Sequence, residues 1–85
     1  MARRRGLFKE IAGKHGISIS EAKRKFMEIV TTAAKKLVSN PEHPGGEWLI
    51  ALKKVLPVAY DIAWKKKDFP TVEEILEAVK AGVPA

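Results

Sequence analysis

Apolar residues return every three or four positions along almost the whole chain, the spacing of a helical face rather than the alternation of a strand. Four segments carry this pattern. The first, from about Arg4 to Lys14, sets Leu7, Phe8, Ile11 and Ala12 on one side. His15-Gly16 ends it, because glycine accepts the left-handed conformation that a helix terminus often needs. The second opens at Ser18, where the S-x-x-E spacing to Glu21 predicts a reciprocal capping box. Its apolar stripe runs through Ala22, Phe26, Ile29, Val30, Ala33 and Leu37, opposite Arg24, Lys25, Lys35 and Lys36. It stops before Asn40-Pro41, since the residue ahead of a proline avoids helical angles.

NPEHPGGE then reads as the one clear loop. The third segment, roughly Glu47 to Lys66, is the most apolar. Its polar residues Glu47, Lys53, Lys54, Asp61 and Lys65 fill about a third of a helical wheel, so it is expected to be largely buried, as a central helix would be. Trp48 is expected in the core. Pro57 cannot donate to the Lys53 carbonyl and should kink this helix. The fourth starts at Pro70-Thr71 with a second capping box, Thr71 to Glu74, buries Val72, Ile75, Leu76 and Val79, and ends at Gly82. The pattern predicts an all-α fold: a compact bundle of four helices with a helix-turn-helix-like N-terminal hairpin. Residues 1–85 form one domain, divided into a basic arm (1–5), the hairpin (6–39), a loop (40–46) and two further helices (47–82).

With 85 residues and no cysteine, no disulfide or thiolate site is possible, and the apolar core must hold the fold. No apolar run reaches membrane-spanning length, and no signal peptide is apparent, so an intracellular place (cytoplasm or nucleoid) or a virion is expected. One Asn and no Gln beside abundant Lys and Glu is the composition of a thermophile's protein. Charge changes the picture more. The formal net is +6, but residues 1–40 hold ten basic and three acidic residues, while residues 41–85 hold six basic and seven acidic. Such asymmetry points to an acidic partner for the first half.

The candidate chemistry is therefore binding. The two histidines have no carboxylate or cysteine at ligand spacing and no phosphate loop follows a strand, so neither a catalytic residue, a cofactor, a metal nor a small-molecule substrate is expected. Arg3, Arg4, Arg5, Lys9, Lys14, Lys23, Arg24 and Lys25 cluster early enough to grip phosphates, with Lys65, Lys66 and Lys67 as a second group. Tyr60 and Trp64, at the margin of the third helix's polar stripe, are candidates to stack on a base or to pack in the core. The basic run at the start is read as a phosphate-gripping arm, with a merely solvated tail as the alternative. LFKEIAGKHGISISEAKRKF fits a helix-turn-helix with Ala12 at the crossing, Gly16 in the turn and Ile17 beneath it. His15 and Lys25 stand where that motif wants apolar residues, and a plain helical hairpin with a wet basic face explains the segment too.

The string Leu7, Ile11-Ala12, Gly16-Ile17-Ser18, Ala22, Phe26, Val30, Ala33, Leu37 resembles the N-terminal helical hairpin of the bacterial HU/IHF nucleoid proteins. The resemblance covers residues 7–37 only. It implies dimerisation through a face holding Phe26, Ile29 and Leu37, and a nucleoid role. That family grips DNA with β-ribbon arms, whereas everything after Asn40 here reads as helix, so no DNA-contacting residue carries over.

Together these features predict a small basic nucleic-acid-binding protein, on duplex DNA by preference, architectural or regulatory, and homo-oligomeric. The rival is a self-assembling structural subunit (virion, filament or nucleoprotein coat) or an adaptor, its basic half meeting a neighbour's Glu73, Glu74 and Glu77. Deleting residues 2–5 should leave the melting temperature nearly unchanged while flattening the log-affinity against log-salt slope for duplex DNA by about two to three, roughly one per lost phosphate contact. An unchanged slope in salt titrations would take the arm out of binding.

Overall fold

The computed structural model describes residues 6–40, 42 and 45–82, and these form four α-helices with no strand among them. They are α1 (Leu7–His15), α2 (Ile19–Lys35), α3 (Glu47–Lys66) and α4 (Val72–Lys80). No helix among the described residues is long and apolar enough to cross a membrane.

The first turn of the chain is tight. Gly16 takes φ 67° after α1, and the amides of Gly16 and Ile17 both donate to the Ala12 carbonyl. Ser18 then caps α2 by accepting from the Glu21 amide. The reciprocal half of the expected box is missing: the Glu21 carboxylate instead accepts from Arg24 one turn on, at 2.7 Å. The charge-assisted bond to a guanidinium is the stronger of the two available partners. Thr71 and Glu74 of α4, with no such competitor on Glu74's own helix, form both halves of theirs. α2 ends at Lys35, short of Asn40, and winds on through i→i+3 bonds from Leu37 to Ala34 and from Val38 to Lys35. Those bonds serve carbonyls that a helix end leaves open.

The central element is α2, not α3. It touches α1, α3 and α4, and it buries Ala22, Phe26, Val30, Ala33 and Ala34. α3 is continuous through Pro57 and buries a narrower stripe, Ala51, Val55, Val58, Ala59 and Ala63. Its surplus of apolar residues lies partly in the open, with Leu49 64% and Ile50 59% exposed. Trp48 is half-buried rather than core, and so is Ile17. The wheel correctly counted α3's apolar positions, but it could not count the neighbours available to cover them.

Alanine makes up seven of the fifteen buried apolar residues, so the core depends on close helix approach and a few large side chains. Phe26 is the largest fully buried one. Its ring lies 5.3 Å from Phe8 of α1, edge to face, and 4.8 Å from Tyr60 of α3, with Phe8 and Tyr60 6.0 Å apart. One aromatic from each of three helices thus meets at a single point. Phe26→Ala should lower stability by about 3–5 kcal/mol, read by chemical denaturation, since the surrounding alanines cannot reach into the space left.

Candidate nucleic-acid interface

The candidate cations fall into three groups. Arg3, Arg4 and Arg5 lie outside the described residues. Lys9, Lys23, Arg24 and Lys25 are exposed on α1 and α2. Lys14, Lys65, Lys66 and Lys67 gather where α1 ends beside the α3–α4 connection. The last two groups differ in what their charges are doing.

At the α1–α3 junction the cations are tied into the fold. Lys67 ends α3 with φ 58°, and Lys14 Nζ donates to its carbonyl at 2.9 Å. Lys66 pairs with Glu74 at 2.9 Å, and Lys65 with Asp61 at 3.1 Å. Lys67 Nζ sits 3.3 Å from the centre of the Trp64 ring, a cation–π contact. Of the two aromatics proposed for stacking, Tyr60 is engaged with Phe8 and Phe26, and half-buried Trp64 already carries an ammonium on its face.

On α2, Arg24 reaches both Glu21 and Glu28 at 2.7 Å, and these bonds raise its already high pKa, the Glu21 hydrogen bond foremost. That leaves Lys23 and Lys25 of the predicted set without an ion pair among the described residues, as is Lys9 on α1. Lys35 and Lys36 join them. The sequence sets both on α2's polar face, and the structure exposes them beside Thr32 and Ser39 on an open groove of about 610 Å³. Lys23 and Lys35 are about 18 Å apart along the axis, and Lys25 and Lys36 fall within about 20° of each other on the wheel. On the same wheel Lys35 lies about 80° from Lys25 and Lys23 about 160° from it, so Lys25, Lys35 and Lys36 share the outer face while Lys23 stands apart.

Of the residues proposed for self-association, Phe26 is wholly enclosed by its own chain, so a dimer built on it would require the core to open. Ile29 and Leu37 are half-buried, packed on that core. Glu73 and Glu77 are exposed on α4, but Glu74 is half-buried and holds Thr71 and Lys66. It is a structural cap, not a spare charge. Among the described residues no group of three or more His, Cys, Asp or Glu could hold a metal ion.

Sequence reasoning missed the clasp between His15 and Asp68. His15 Nε2 lies 2.6 Å from Asp68 Oδ1, and the imidazole packs on Phe69 with centroids 5.0 Å apart. An ionised carboxylate only accepts, so Nε2 is the donor. The partners are 53 residues apart, and no local spacing signals them. Three comparisons, with protein-family models, curated proteins and solved structures, found no match to this chain.

The His15 hydrogen bond, followed by the Phe69 amide, holds Asp68 below its ordinary carboxylate range. Glu74 is lowered likewise, first by Lys66 and then by the Thr71 amide. A depressed folded-state pKa stabilises the fold above the ordinary carboxylate range, and that contribution is lost as pH falls through the lowered value. Asp68→Asn should therefore melt below the parent at neutral pH, and the gap should close on acidification. A gap in thermal melts that stays constant with pH would show that the clasp acts through packing alone.

Proposed function

We propose that this chain is a small, basic nucleic-acid-binding protein that holds duplex DNA through phosphate contacts and carries out no catalytic step. The observation that carries the reading is the set of exposed lysines on and just past α2, three of which (Lys25, Lys35 and Lys36) share its outer face. Lys23, Lys25, Lys35 and Lys36 stand exposed without an ion pair among the described residues, while Arg24 takes up both of the helix's acids. Duplex DNA presents about one negative charge per 1.7 Å of axis, which suits several cations spread along one helix. Single-strand binders add aromatic platforms for unstacked bases. The engagement of Tyr60 with Phe8 and Phe26, and of Trp64 with Lys67, favours the duplex over the single strand. Lys9 on α1 and, in the sequence, Arg3, Arg4 and Arg5 add positive charge, for an architectural or regulatory grip that reads charge rather than base sequence.

The test is fluorescence anisotropy with a short labelled duplex and the matching single strand across a salt series. Duplex binding should be the tighter of the two and fall steeply with salt. Lys25→Ala with Lys36→Ala should flatten the slope by about two and weaken all duplex sequences alike. Lys80→Ala, on α4, should change neither. Absence of duplex binding at low salt, or binding indifferent to salt, would overturn the proposal.

A further inference from the structure

Leu49 and Ile50 are adjacent, the two most exposed large apolar side chains among the described residues, and they sit in the first turn of a 20-residue helix. Isolated exposed apolar residues such as Ile19 and Met27 are ordinary. This pair is different because Ile50 also lines a groove of about 310 Å³, walled by Leu37 just past the end of α2, Ala51 of α3 and Val79 of α4. The remaining two lining residues are Glu47 and Lys54, and both are exposed.

We infer that this face is a self-complementary interface on which a second copy of the chain docks, with the two α3 helices antiparallel. The charge pattern selects the occupant. Glu47 and Lys54 flank the Ile50–Ala51 pair three positions to either side, about 10 Å apart along the axis. A two-fold axis through the midpoint of that pair sets Glu47 of each copy opposite Lys54 of the other, as an isologous interface requires, since every residue pair then occurs twice. A polyanion would be repelled by Glu47, and a uniformly basic partner by Lys54, while a second copy satisfies both. Glu47 already accepts the Ser39 hydroxyl, at 2.9 Å from each carboxylate oxygen, and retains lone pairs for an ammonium. Lys54 has no ion pair among the described residues. A stable dimer of ordinary size covers about 800 Å² on each partner, roughly a seventh of this chain's 5619 Å². The interface excludes the enclosed Phe26 and does not depend on nucleic-acid binding.

Multi-angle light scattering and sedimentation of the full chain, without nucleic acid, test it. The parent should be dimeric at tens of micromolar. Ile50→Ser and Lys54→Glu should each weaken the dimer by about tenfold or more, with helicity by circular dichroism unchanged because both side chains are exposed. The chain has no cysteine, so a single Ile50→Cys substitution can oxidise only to a disulfide between chains. It should cross-link quickly, and Met27→Cys, exposed on α2, should not. A monomeric parent at these concentrations, a dimer indifferent to Ile50→Ser, or equal cross-linking of the two cysteine variants would overturn the inference.

Discussion

The fold depends on the meeting of Phe8, Phe26 and Tyr60. A core that is nearly half alanine has little side-chain volume with which to fix one helix arrangement among several, and these three rings supply it. Phe26 reaches them from the middle of α2, and Ala22, Ala33 and Ala34 on the same helix allow neighbours to approach closely. Ile75 and the buried Pro70 then seat α4. The consequence for binding is direct. A helix anchored through its inner face keeps Lys25 and Lys35, with Lys36 just past its end, on its outer face.

Polar interactions in this protein close the ends of the bundle rather than stabilise its centre. No polar or charged side chain is buried among the described residues, and no buried side-chain nitrogen or oxygen there lacks a hydrogen-bond partner. At one end Lys14 and His15 of α1 tie to Lys67 and Asp68 beyond α3. At the other, Ser39 holds Glu47 across the loop that joins α2 to α3. These exposed contacts contribute little each, but those of Lys14 and His15 join segments 53 residues apart and so define which helix ends meet. They also decide which charges remain for a partner. Cations near a fixed carboxylate or a ring face are taken up, and those of α2 beyond Arg24's reach are not.

Much of this was legible in the chain itself. The four helices, their order and most of their limits follow from local physics: apolar spacing sets a face, Gly16 ends α1, and Ser18 and Thr71 set the starts of α2 and α4. The burial of Phe26 and the exposure of the α2 cations follow from the same spacing. What the sequence could not decide is which faces find neighbours. A helical wheel orders residues around one axis and is blind to the other helices, so α3 read as the largely buried central helix, whereas α2 is central and Leu49 and Ile50 of α3 are surface. Side-chain competition is likewise a tertiary or through-space matter. Glu74 gained Lys66 and His15 found Asp68 because each choice depends on distances that arise only once the chain has folded, whereas Glu21 met Arg24 through the helix's own i,i+3 spacing.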